Sequence, residues 1–256
     1  MNLSGNTIFI TGGGSGIGRA LAEALHRCGN QIIIGGRRSA QLKLVAAANP
    51  GMDAVELDIT DPASIQAAAA RLVEKYPALN VLINNAGVMI PDAAENPIDE
   101  SVLTSTVNTN LLGSIRMTSA LIEHIKRQAG ATIIYNTSFL AFVPLAGTAV
   151  YSATKAALHS YVLSQRFLLR DSGVRVLEIA PPWVRTPLMN SEEAEQAMPL
   201  DKFITGTMTA LGTDADEILL DEVRPARANP GAAEHAFVNA LNSQMTPMLR
   251  SMQTAS

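Results

Sequence analysis

The sequence predicts an α/β fold, a doubly wound parallel sheet with helices on both faces. Two observations carry this. Strand-like and helix-like segments alternate strictly through residue 180, and a glycine-rich turn joins the first strand to the first helix. Strict alternation implies right-handed crossovers between parallel strands. The expected strand order, 3-2-1-4-5-6, opens a crevice between the first and fourth strands. With 256 residues and 47% hydrophobic content, the chain can bury one large core, so residues 1–256 read as a single domain. No repeat, low-complexity tract or linker interrupts it.

Asn6–Ile10 is a short apolar, β-branched run, which predicts a strand near 7–11. It leads into T-G-G-G-S-G-I-G, Thr11 to Gly18, and then into the helical pattern of a segment near 16–28. Strand, glycine turn and helix in that order form a phosphate cradle of the Rossmann type. Glycines let the backbone approach a pyrophosphate, and the helix N-terminus offers unpaired N–H groups and a positive dipole end. Gly12, Ser15, Gly16, Ile17 and Gly18 are therefore expected against a nucleotide. The next strand, near 31–35, ends in Gly35-Gly36-Arg37-Arg38 before a helix near 39–48. NAD-preferring folds place a carboxylate there for the ribose 2′-hydroxyl, and here there is none. Two arginines opening a helix sit where the dipole disfavours cations unless an anion compensates. Arg37 could hold a 2′-phosphate through its planar fork, so NADP(H) is expected over NAD(H). A solvated basic turn is the alternative, and Ser15 is not the additional basic residue some NADP enzymes carry.

A strand near 53–58 closes on E-L-D-I-T, with a helix near 62–76 and a strand near 80–84 after it. Asn84-Asn85-Ala86-Gly87 then falls beside the glycine loop across the crevice. Gly87 permits close backbone approach, and Asn85 can bond a ribose or the neighbouring loop. A helix near 100–128, strands near 131–136 and 174–180, and a helix near 151–171 complete the readable part. Beyond it, Asp214–Arg224 and Ala232–Leu241 look helical, and no convincing seventh strand is visible.

Ser138, Tyr151 and Lys155 occur as T-S, twelve residues, then Y-S-A-T-K. Residues four apart share a helix face, so the Lys155 ammonium can sit beside the Tyr151 phenol. A nearby cation lowers a phenol pKa from its ordinary value near ~10 towards the range of a general acid/base. Ser138 could hold a substrate oxygen next to that phenol. Alone, such a pair is commonly a solvated helix face.

The T-G-x-x-x-G-x-G spacing, N-N-A-G and the Ser138/Tyr151/Lys155 set together resemble the short-chain dehydrogenase/reductase (SDR) family, from about Thr7 to Thr186. Within it, A-F-V-P-L-A, Y-S-A-T-K-A-A-L-H-S-Y and A-P-P-W-V are most similar to the DltE-like oxidoreductase branch. The resemblance implies hydride transfer between NADP(H) and a carbonyl/secondary-alcohol pair, with Tyr151 as general acid/base on CH–OH groups. Lys155 would lower the tyrosine pKa and bind the nicotinamide ribose, and Ser138 would position the oxygen. In T-V-N-T-N-L-L-G only one asparagine can face the site, and the family's T-N-L run favours Asn110 over Asn108 as support for a proton relay. Asp58 would meet the adenine amino group, with the Ile59 backbone beside it; an N-cap or turn aspartate is the alternative. Val184 and Thr186 keep their family positions, whereas Pro182 replaces a glycine and should stiffen the backbone there. Trp183 would pack the cofactor or substrate lid, or anchor the core. A lid is expected near 188–211, where Met189, Met198 and Met208 suggest an adaptable pocket or simply fill the core. The family also implies a homodimer or homotetramer. An acyl-thioester or sugar reductase, or a non-catalytic NADP-binding regulator, are the other readings.

Net charge −4 and pI 5.6 argue against a nucleic-acid surface. No apolar stretch approaches the length of a membrane span, and the first strand begins almost at Met1, so a cytoplasmic enzyme is expected. Cys28 is the only cysteine, and no His/Asp/Glu cluster has metal-ligand spacing, so no metal site is expected. His159, two turns beyond Tyr151, either lines the pocket or packs against its neighbours.

Overall fold

A computed structural model describes residues 1–228 and 231–254. The strands are β1 (Thr7–Thr11), β2 (Gln31–Gly36), β3 (Asp53–Glu56), β4 (Leu79–Asn84), β5 (Thr132–Asn136), β6 (Arg175–Ile179) and β7 (Glu217–Ile218). The helices are α1 (Gly16–Arg27), α2 (Ser39–Ala48), α3 (Pro62–Lys75), α4 (Glu100–Val107), α5 (Gly113–Ile125), α6 (Ala149–Leu169), α7 (Leu200–Leu211), α8 (Arg224–Arg227) and α9 (Glu234–Thr254). All pairings are parallel, in the order β3-β2-β1-β4-β5-β6-β7. This is the Rossmann-type sheet that the alternation predicts, extended by one strand.

Side chains alternate across the sheet, which explains the apolar strands. Ile8, Ile10, Ile32 and Ile34 enter one core layer with Leu21 and Leu25 of α1 and Phe203 of α7. Phe9 and Ile33 enter the other, with Ile65 and Leu72 of α3, Leu121 of α5 and Leu158 of α6. Both faces of the central strands are covered, so β1, β2 and β4 read as largely continuous hydrophobic runs rather than as alternation.

Two sequence expectations need correction. The segment Asp214–Arg224 is not one helix: it contains β7, which pairs Glu217 with Glu178 and Ile218 with Ile179, and α8 begins only at Arg224. Arg166 and Arg175 hold the backbone leading into this strand through the Asp216 and Asp214 carbonyls, at 3.2 and 3.1 Å. Leu219 and Val223 then turn inward, at a spacing that reads as helical in sequence. The helix expected over 100–128 is interrupted by a π-helical turn, Asn108–Leu112, between α4 and α5. Such turns commonly mark functional sites, and this one carries Asn110.

Candidate active site

The glycine loop connects β1 to α1 across the C-terminal sheet edge. Gly12 and Gly16 take positive φ values of 70° and 53°, where a side chain would be strained. At Gly18 the reason is space: a Cβ would lie 2.4 Å from the Gly12 carbonyl oxygen and 2.3 Å from Asn85 Nδ2. The Thr11 hydroxyl accepts hydrogen bonds from the Asn85 and Ala86 N–H groups, both at 3.0 Å. Asn85 Nδ2 donates back to the Thr11 and Gly12 carbonyls, while its Oδ1 accepts from Asn136 Nδ2 at 2.8 Å. Asn85 therefore ties together the ends of β1, β4 and β5, and of its two expected roles it fills the loop-bonding one.

A cavity of about 640 Å3 lies over this floor. Its wall includes Gly12, Ser15, Gly16, Ile17, Gly18, Arg37, Ile59, Asn85, Ala86, Gly87, Ser138, Tyr151, Lys155, Val184 and Thr186, all expected from sequence. The residues fit a nicotinamide dinucleotide. No side chain caps the N-terminus of α1, and its first turn holds no carboxylate, so its N–H groups suit a phosphate. Arg37 and Arg38 stand exposed on the wall at the end of β2. Arg38, read in sequence only as the second of the two arginines, donates to the Ser15 hydroxyl at 2.8 Å and so reaches the glycine loop.

Two expected residues are off the wall. Asp58 closes a tight turn, its Oδ1 accepting from the Thr60 N–H and hydroxyl at 2.9 and 2.7 Å. Those bonds hold its carboxyl below the usual range, and they realise the turn alternative. Asn110 is fully buried behind the wall. Its side chain exchanges two 2.8 Å hydrogen bonds with the Val88 backbone, fixing the chain just after Gly87.

Tyr151 and Lys155 project from the first two turns of α6. Thr148, at the helix N-cap, makes no side-chain cap. The Asp92 carboxylate does so instead, accepting from the Ala149 and Val150 N–H groups at 3.0 and 2.9 Å. Ser138 follows β5, and its Oγ accepts from Leu140 N–H at 3.1 Å. Lys155 Nζ donates to the Asn136 carbonyl at 2.8 Å and lies 5.5 Å from the centre of the Tyr151 ring. Burial pushes the Tyr151 phenol up to about 12, with the Ser138 hydroxyl working the other way. Here the direction is opposite to the lowering expected from sequence. The lysine is itself desolvated, and burial pulls it down to about 8 against the raising effect of Glu178.

Glu178, completely buried on β6, has no counterpart in the sequence reading. Its carboxylate accepts from the Thr137 hydroxyl at 2.6 Å and pairs with His159 Nδ1 at 2.8 Å. His159 is thus a packed helix residue, its ring set edge-on to Phe142.

Of the stretch 188–211 expected as a lid, only Leu188, Met189 and Ser191 reach the wall. Met198 and Phe203 are buried in the core and Met208 packs against it, so α7 is a structural helix. The buried Ser191 hydroxyl donates towards the Val184 and Thr186 carbonyls at 3.1 Å, folding this loop over Thr186. Pro182 and Trp183 also line the cavity, as do Leu241 and Met245 of α9.

A family model described as short chain dehydrogenase matches residues 6–197. The chain is 33% identical over 250 residues to the uncharacterized oxidoreductase DltE of Bacillus subtilis, covering 95% of this chain and 99% of that protein. It is 33% identical over 181 residues to serine 3-dehydrogenase of Agrobacterium fabrum, covering 70% and 72%. Among solved structures it resembles a short chain dehydrogenase from Burkholderia cenocepacia J2315 in complex with NADP, with TM-score 0.81, 26% identity and coverage of 96% and 99%. A short chain dehydrogenase/reductase from Burkholderia phymatum in complex with NAD shares the fold, with TM-score 0.76, 22% identity and coverage of 89% and 93%.

Proposed function

The chain belongs to the short-chain dehydrogenase/reductase family of oxidoreductases, and on that premise we propose that it interconverts a carbonyl compound and a secondary alcohol with NADP(H). The observation that carries this reading is convergence: Ser138, Tyr151 and Lys155 share one cavity with the glycine loop and Arg37. When bound, the nicotinamide supplies or accepts the hydride.

The chain's own residues do the rest. A phenol held near 12 is neutral at physiological pH, so Tyr151 donates its proton to the carbonyl oxygen in reduction and recovers one in oxidation. Ser138 accepts from the Leu140 N–H, and its hydroxyl, which bonds the Tyr151 phenol, is placed to turn to the substrate oxygen beside it. The Lys155 ammonium, anchored on the Asn136 carbonyl, favours the phenolate that forms as the proton leaves. Asn110 supports the set by holding Val88 beside Gly87. The preference for NADP(H) rests on Arg37 and Arg38 together with the absence of a carboxylate at the end of β2.

The test is oxidation of NADPH over a panel of carbonyl compounds, with both cofactors titrated. Tyr151→Phe should lower turnover by ~10²-fold or more while NADPH affinity stays nearly intact. Arg37→Ala should weaken NADPH by about tenfold or more, the loss of one charged hydrogen bond. Retention of a tenth of wild-type turnover by Tyr151→Phe would remove it as the acid. NADH bound as tightly as NADPH would overturn the cofactor assignment.

A further inference from the structure

The cavity has two chemically distinct ends. Arg37 and Arg38 stand at the glycine-loop end. Leu140, Leu145, Trp183, Met189, Leu241 and Met245 give the wall its apolar side chains, and the last two flank Asn242, which is bonded to the loop just before Tyr151. The other charged residues among the described lining are Lys155 and Glu222. Lys155 is committed to the Asn136 carbonyl. Glu222 is exposed, and its carboxylate bonds Lys202 Nζ at 2.9 Å, which holds it below the usual range and therefore ionised. Apart from the two arginines, the apolar side chains are thus accompanied by no free cation among the described lining residues, and the one carboxylate there, Glu222, is neutralised by Lys202.

The last two wall residues come from α9, and that helix is pinned. Asn242 lies between them in sequence. Its Nδ2 donates to the Pro144 carbonyl at 3.0 Å and its Oδ1 accepts from Ala146 N–H at 2.5 Å. The clamped loop enters α6 directly, three residues before Ala149 and five before Tyr151. The helix turn that presents Leu241 and Met245 is therefore fastened to the segment that delivers the phenol.

We propose that α9, fastened through Asn242, completes a substrate pocket for an uncharged carbonyl compound bearing an apolar chain or ring, with Leu241 and Met245 as specificity-determining residues. The proposal rests on the reading of Ser138 and Tyr151 given above for where the carbonyl lies. A substrate carrying a carboxylate, sulfonate or phosphate at the far end would bury that charge among Leu, Met and Trp side chains with no partner, which is strongly unfavourable.

Trp183, the only tryptophan of the chain, lines the pocket and reports binding without turnover. The full-length protein is titrated with a medium-chain methyl ketone and with the same ketone carrying a terminal carboxylate, following Trp183 fluorescence. The neutral ketone should bind, about fourfold more tightly per added methylene, and the carboxylate should bind at least ~10-fold more weakly. Leu241→Ala/Met245→Ala should weaken the neutral ketone by about tenfold and flatten the chain-length dependence. Reduction of the same two compounds should follow the same order in kcat/KM. Equal or tighter binding of the carboxylate by wild type would overturn the proposal whatever the variant does. So would a folded double variant with unchanged affinity and chain-length dependence. Selective binding without any reduction leaves the pocket standing and overturns hydride transfer, so the two readings fail separately.

Discussion

Lys155 shows how a single residue can be set by groups that sequence spacing does not connect. Its position four residues after Tyr151 is visible in the chain, but Glu178 lies 23 residues further on and reads there as an ordinary strand residue. In the fold, Glu178 is buried and opposes the desolvation that pulls Lys155 down to about 8. The ammonium is therefore present below that value and lost as pH rises through it, whereas an exposed lysine keeps its charge to about 10. Glu178→Gln preserves the shape and removes the charge that raises Lys155, so the lysine midpoint should move towards lower pH. Carbon-13 NMR of labelled lysine reads this directly, since the chain has five lysines. A midpoint that stays put or rises in the folded variant would show that Glu178 does not act on Lys155. Legibility divides the same way across the site. Gly12, Ser138, Tyr151 and Asn85 were readable because their motifs are local. Asp92, Asn136, Glu178 and the bond from Arg38 to Ser15 were not, because each acts on a partner distant in sequence or through an unremarkable residue type.

At the scale of elements, the β1–α1 connection contains more glycine than its geometry requires, and the difference can be tested. Gly14 and Gly18 belong to the same loop, Gly14 at a variable position of the motif and Gly18 at a fixed one. A Cβ at Gly14 would make ordinary contact with Leu42 at 3.4 Å, whereas at Gly18 it would collide with the Gly12 carbonyl and Asn85. Gly18→Ala should destabilise by about 1–3 kcal/mol, the range of overpacking, and Gly14→Ala should be close to neutral. Thermal unfolding of the two variants compares them, and equal midpoints would show that the loop yields at Gly18. Elements long enough to show a period were legible, and the six strands from β1 to β6 were recognisable, most of them as apolar runs. β7 was not, because two residues carry no period and its pairing depends on arginines from α6 and β6. The π-helical turn was hidden inside a continuous helical pattern, and the docking of α9 rests on one asparagine whose partners lie nearly a hundred residues earlier.

At the scale of the molecule, α6 exposes apolar side chains. Leu163, Phe167 and Leu168 of α6 are 41%, 64% and 75% exposed, and Leu103 of α4 is 38% exposed. Ala153, Ala156 and Ala157 of α6 are exposed as well, so a second helix could approach them closely, whereas Ala120 of α5 packs against the chain's own core. A homo-oligomer built on this face is expected, with two-fold symmetry as the commonest arrangement. Light scattering at micromolar concentration should give two or four times the chain mass of 27.1 kDa, and a strictly monomeric mass would reject the assembly. The cavity, by contrast, is assembled from segments scattered between Gly12 and Met245, with Asn85 fastening the ends of three strands beneath it. Neither half of the sheet contains the site by itself. A dinucleotide seated there is therefore thermodynamically linked to global unfolding, because separating the halves releases it. At about a hundredfold excess over its Kd such a ligand adds ~2.7 kcal/mol to the folded state, a sizeable fraction of the ~5–15 kcal/mol that holds a typical domain together. The nucleotide pool of the cell would then govern how long the chain survives as well as how fast it turns over.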